Sequence, residues 1–105
     1  MDLTPHIKKF KEYKLPQFYE KLSFAERHAV RQQYKKLQDG LCYFCGCDLD
    51  GDPPQKVKEK KIDKSIFPKN FNYKGNHLHH DHQTGLTIGA VHGYCNAVLW
   101  QYYGE

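Results

Sequence analysis

Apolar positions change rhythm several times along this chain. Leu3, Ile7, Phe10 and Tyr13 recur at helical spacing behind Thr4-Pro5, an N-cap followed by the proline favoured at a first helical position. Pro16 closes that segment, and a short apolar patch of Phe18, Tyr19 and Leu22 follows. Ser23-Phe24-Ala25-Glu26 then reads as a capping box, in which Ser caps and Glu reaches back. It predicts a helix over 24–38 with Val30, Tyr34 and Leu37 as its buried stripe and Gly40 as a left-handed C-terminal cap. Arg27, Arg31, Lys35 and Lys36 fall outside that stripe and read as a solvated face, with a DNA-facing surface as the alternative.

From 48 to 75 the rhythm weakens. Asp50-Gly51-Asp52-Pro53-Pro54 is a turn cluster, 55–64 is lysine-rich, and 67–75 mixes aromatic with basic residues. That mixture suits phosphate contact with base stacking, and equally a loop pinned to the domain by its own rings. Beyond Gly75 the pattern tightens. A strand is expected over 77–80, a turn over 81–85 with Gly85 free to take positive φ, and a second strand over 86–92 in which Leu86, Ile88 and Ala90 alternate. Ala97, Val98, Trp100 and Tyr102 place a final helix from Gly93 onward. The order of elements is N-terminal helices, a cysteine knuckle, a long loop, a β-hairpin and a C-terminal helix, an α+β class. The chain divides into a helical extension over 1–22 and a domain over 23–105 that carries a basic-aromatic insertion at 50–76.

Length and composition narrow the picture modestly. At 105 residues one domain is expected, small enough that a metal or disulfide staple is common. Eight Tyr, six Phe and one Trp allow a real core, and the formal charge of +4 is compatible with a nucleic-acid partner without requiring one. No apolar run is long enough to span a membrane, and the polar N-terminus is unlike a secretory signal, so an intracellular protein without a membrane partner is expected.

The four cysteines carry more information. Cys42, Cys45 and Cys47 crowd together while Cys95 stands apart, which argues for metal or redox chemistry over a disulfide framework in a reducing compartment. Cys42-Tyr43-Phe44-Cys45 has the spacing at which two thiolates on one tight turn bind one ion, and His92-Gly93-Tyr94-Cys95 repeats it. Cys42, Cys45, His92 and Cys95 would complete a tetrahedral structural Zn²⁺ site and clamp the knuckle to the last helix; Cys47 is the competing fourth ligand. The stretch HLHHDH over 77–82 is the second concentration of ligand-type side chains.

The run HHDHQTGLTIGAVHGYCN resembles the phage recombination endonuclease VII family, a branch of the HNH (His-Me finger, ββα-metal) nucleases, whose pattern runs roughly DHDHxTGxxRGxLCxxCN. His80, Asp81 and His82 fall on HDH, Thr84-Gly85 on TG, Gly89 on the later Gly, and Cys95-Asn96 on the final CN. The upstream YKKLQDGLCYFCGCDL is similar to that family's helix and knuckle. His79 stands for the first Asp, His92 for a zinc-binding Cys, Ile88 for a common Arg, and Leu99 where some members place an acid. The longer members' C-terminal dimerisation and junction-binding region is not expected here.

The resemblance implies a treble-clef-like ββα-metal fold and a metal-dependent endodeoxyribonuclease of phage or prophage origin, with DNA as partner and monomer or homodimer left open. It assigns the general base to His80 and a catalytic divalent cation to His79 and Asn96. A His ligand shifts metal preference from Mg²⁺ toward Mn²⁺ or softer ions. His82 and His77 are candidates for phosphate or orienting contacts, and Asp81 for an imidazole partner or a turn residue. The alternative function is a zinc-stabilised nucleic-acid- or protein-binding module without catalysis.

Overall fold

The computed structural model describes residues 12–104. Apart from Tyr13, the helix expected over 3–13 lies outside the described residues. The described elements are a 3-10 turn at Tyr19–Lys21, α1 (Phe24–Leu37), the one-turn α2 (Gln55–Lys58), a second 3-10 turn at Lys64–Ile66, β1 (Asn76–His80), β2 (Thr87–His92) and α3 (Gly93–Tyr103). The result is a small α+β unit around a two-stranded antiparallel hairpin. Among the described residues no helix is long and apolar enough to cross a membrane.

The start of α1 follows local chemistry closely. Ser23 Oγ accepts from the Glu26 N–H at 3.1 Å, and the Glu26 carboxylate accepts from the Ser23 N–H at 3.0 Å. Its end differs in detail. Gly40 N–H reaches the Lys35 carbonyl and Asp39 N–H the Lys36 carbonyl, a Schellman pair. Asp39 therefore occupies the left-handed cap position (φ 56°), and Gly40 (φ 75°) follows it. Val30 is fully buried, and Tyr34 packs against both core clusters. Leu37, expected on the same stripe, is 68% exposed.

The core has two parts. Leu22, Val30 and Leu78 form a small cluster under α1. A larger cluster joins Cys42, Leu49, Val57, Ala90, Val91, Cys95, Val98 and Leu99, so two of the cysteines are core residues as well as candidate ligands. Strand register runs from Asn76 opposite His92 to His79 opposite Gly89, then slips so that His80 faces Thr87. The slip leaves Ile88 as the extra residue of a bulge, which bends the strand and re-aims the side chains beside it. This explains why the expected Leu86, Ile88, Ala90 alternation fails. Ala90 is buried, but Leu86 and Ile88 are only half-buried while Thr87 and Val91 are buried.

Residues 12–22 dock on the hairpin. Gln17 and Tyr19 make backbone hydrogen bonds with Thr87 and Gly85, and Gln17 N–H also reaches Thr87 Oγ1 at 3.0 Å. Tyr13 N–H donates to the Gln33 side-chain oxygen at 2.8 Å, and the Gln33 amide donates back to the Tyr13 carbonyl at 2.7 Å. The loop beyond the knuckle is tied to α3 by Tyr94, Gln101 and Tyr102, which donate to carbonyls of Lys60 and Lys61. Phe67, Phe71 and Tyr73 pack on one another, and Phe71 meets His77 at 4.8 Å between centroids. These rings pin the loop to the domain.

Candidate metal centre and adjoining basic cleft

The turn after α1 is shaped for thiolates. Cys42 N–H bonds to the Cys47 carbonyl at 2.7 Å and Gly46 N–H to the Cys42 carbonyl at 2.9 Å, with Gly46 at φ 76°, where a side chain would be strained. Across the core, β2 ends at His92 and α3 begins at Gly93, which puts His92 and Cys95 one helical turn apart. The ligand atoms of Cys42, Cys45, His92 and Cys95 all lie within 4.8 Å of one another, the one such cluster among the described residues. Cys47 is not part of it; its carbonyl serves the backbone of the knuckle.

His92 presents Nδ1 to the sulfurs, 3.3 Å from Cys45 Sγ and 3.6 Å from Cys95 Sγ. A tetrahedral ion with bonds of about 2.3 Å to sulfur and 2.0–2.1 Å to nitrogen needs S···N edges of about 3.5 Å. His92 Nε2 lies 2.8 Å from the Asp48 carbonyl, which can only accept, so Nε2 carries the proton and Nδ1 keeps its lone pair. The four residues could thus hold a metal ion. The thiols are already unequal. Hydrogen bonds from the Cys95 thiol, and then from the Cys45, His92 and Phe44 amides, hold Cys42 down at about 4 against the cost of its burial. Burial pushes Cys45 up to about 11, and Cys95, which donates to Cys42 and is itself buried, is raised further. A bound cation is what lets all three ionise together.

On the α1 side of the hairpin lies a cleft of about 500 Å³. Arg27, His28 and Arg31 form its α1 wall, His77 and His80 line it from β1, and Asn96 enters from the first turn of α3. Among the described residues no carboxylate lines it. The His80 ring lies flat on Tyr19, with centroids 3.9 Å apart and planes within 10°. The Arg27 guanidinium covers the other side of Tyr19 at 3.9 Å, while His80 meets His82, and His82 meets Trp100, each at 4.6 Å. Burial first, then the nearby His82 and His79, holds the His80 imidazole below its ordinary value, so it is neutral at pH 7.

The other predicted residues fall as follows. His79 is 2% exposed on β1. His77 Nε2 is 2.7 Å from the Asn72 carbonyl, which makes it the protonated nitrogen, and its Nδ1 accepts from the Asn96 amide at 3.1 Å. That contact leaves Asn96 Oδ1 as the oxygen still able to act as a ligand. Burial also holds His77 below its ordinary value. Asp81 accepts from the Gln83 and Thr84 amides, so it shapes the hairpin turn. Tyr19, His28 and Arg31 join the cleft without having stood out as site residues in the sequence; the only signal was the Arg27, Arg31 spacing on α1.

No family model, curated protein or solved structure matches the chain.

Proposed function

We propose that this chain is a zinc-stabilised, HNH-type DNA endonuclease with a treble-clef-like ββα-metal core. The observation that carries the reading is the cleft itself. His80 is neutral, held by a flat stack, and shares with Asn96 and two arginines a pocket that no described carboxylate lines. The four-ligand cluster supports zinc as the structural ion. Its donor set and spacing suit a tetrahedral borderline-soft cation, and it would clamp β2 and α3 so that Asn96 stays beside β1.

In this reading the His80 imidazole takes a proton from water as the water oxygen bonds to phosphorus, and the phosphorus bond to the leaving oxygen breaks. Tyr19 keeps the ring in place through the transfer. His77 accepts from the Asn96 amide and so leaves Asn96 Oδ1 as the group's free acceptor. His79, the other ligand the resemblance implies, is buried on β1 and is not among the residues that line the cleft with Asn96, so Asn96 Oδ1 is what the cleft offers to a divalent cation, which would supply Lewis-acid stabilisation of the leaving oxygen. An amide oxygen or an imidazole in place of a carboxylate suits Mn²⁺, Co²⁺ or Ni²⁺ better than Mg²⁺.

The test is plasmid cleavage. Zinc-loaded protein should nick or linearise DNA with Mn²⁺ or Mg²⁺ added, and His80→Ala should not. Inactivity of the wild type on branched, duplex and single-stranded DNA across metals would instead favour the binding module. One observation leans that way: Leu99, where some members of the family this chain resembles place an acid, is packed in the core.

A further inference from the structure

α1 carries two arginines one turn apart, and both line the cleft, but they are engaged very differently. Arg27 is engaged on three sides within the protein. Its Nε donates to the Tyr19 carbonyl at 3.2 Å, its guanidinium lies over the Tyr19 ring, and its Nη2 is 3.8 Å from the Glu20 carboxylate. Among the described residues Arg31 makes one short contact, from Nη2 to His28 Nδ1 at 2.7 Å. Since arginine only donates, that nitrogen of His28 is the acceptor, and His28 steers the guanidinium without neutralising it. Among the described residues Arg31 has no carboxylate partner.

A guanidinium with no carboxylate partner among the described residues, in a cleft whose described lining holds no acid, calls for an anion. The planar fork of donors fits two non-bridging oxygens of one phosphodiester. Asn72 and Asn76 add amide donors along the same cleft. We infer that Arg31, steered by His28, is the contact for a backbone phosphate of DNA in this cleft, and that Arg27 serves as a positioning residue for the Tyr19–His80 stack. The inference takes its location from the nuclease reading, yet it concerns binding and can be tested with no cleavage occurring.

The experiment uses the full zinc-loaded chain and a short fluorescent duplex, with no other divalent metal added. Anisotropy gives the affinity over a series of KCl concentrations. Neutralising one phosphate contributes about 0.9 to the slope of log K against log salt, so Arg31→Ala should weaken binding and flatten the slope by about one. Arg31→Lys, which keeps the charge and loses the fork, should retain most of the slope at reduced affinity. Lys36→Ala, on α1 but outside the cleft, should match the wild type. Zinc content and circular dichroism establish that each variant is folded.

A wild type that does not bind the duplex, or an Arg31→Ala slope equal to the wild-type slope, overturns the assignment. Displacement of the duplex by millimolar inorganic phosphate at matched ionic strength, lost in Arg31→Ala, also overturns it, in favour of free phosphate. Plasmid cleavage together with an unchanged Arg31→Ala slope sinks this inference and leaves the nuclease reading standing. A flattened slope without any cleavage does the reverse.

Discussion

Removing the ion from the three-cysteine, one-histidine cluster should unfold this domain. On the proposed reading the ion ties the knuckle to β2 and α3 across 47 residues, the separation of Cys45 and His92. Closing a loop of that length is worth about 4 kcal/mol when the cross-link is treated as a constraint on the unfolded chain. The ion also bonds Cys42 and Cys95, which sit inside the larger core cluster, so its loss leaves that cluster without its centre. Structural zinc contributes about 10–16 kcal/mol in small domains, against a total stability of about 5–15 kcal/mol for a domain of ordinary size. Even the loop-closure contribution alone corresponds to a fall in Tm of about 16 °C or more. The assay is thermal melting followed by circular dichroism and Trp100 fluorescence, with and without a strong chelator, beside a chromogenic measurement of released zinc. One zinc per chain is expected, and its removal should abolish the cooperative transition. Cys95→Ala and His92→Ala should behave like the chelated protein, whereas Cys47→Ala keeps the zinc and melts within a few degrees of the wild type. A zinc-free wild type that melts cooperatively at its usual temperature would refute the reasoning.

Three further outcomes are expected. A Cβ at Gly93 would lie 2.1 Å from the Asn72 carbonyl oxygen and 3.1 Å from that of Gly75, so Gly93→Ala should cost about 1–3 kcal/mol in denaturant melts; an unchanged midpoint would contradict the tight crossing of the loop over α3. Tyr19→Leu removes a stack worth about 0.5–1.5 kcal/mol, so kcat for plasmid cleavage should drop by up to about tenfold with zinc content unchanged, and full activity would show that the stack does not position His80. Burial lowers both His80 and His77 below 6.5, so the acid limb of kcat/KM should lie below that value. The sign for stability is the same. The unfolded chain takes up these protons first, so stability is full above the ordinary histidine value and is lost as pH falls from there toward the lowered folded values. Melts between about pH 7 and pH 5, with zinc release followed separately, check this, and a limb at or above 6.5 would count against buried, neutral imidazoles.

Features that depend on near neighbours along the chain are legible in the sequence itself. The capping box of α1 needs only four consecutive residues, and it forms as read. The two cysteine-type pairs sit on turns where residues three apart face the same way, so spacing alone favours the four ligands over Cys47. The bounds of the two strands and the start of α3 also fall within a residue of those expected, although Trp100 and Tyr102 of α3 are exposed. The phase of β2 departs from its apparent alternation because a bulge at Ile88 is a matter of pairing with β1, and the residues of one strand carry no record of it.

The cleft was beyond sequence for a related reason. Its parts come from three places: residues 12–22 bring Tyr19 onto His80, α1 brings Arg31, and the clamp of α3 brings Asn96 to His77. The chain by itself determined which side chains were available and how neighbours along it would turn. Which of them meet, and so which histidine is stacked, which orients an amide and which arginine has no counter-ion among the described residues, was decided only by tertiary packing. The physical reason is range: capping and ligand spacing act over a few residues, whereas burial and charge in the cleft are properties of segments up to 77 residues apart, as Tyr19 and Asn96 are.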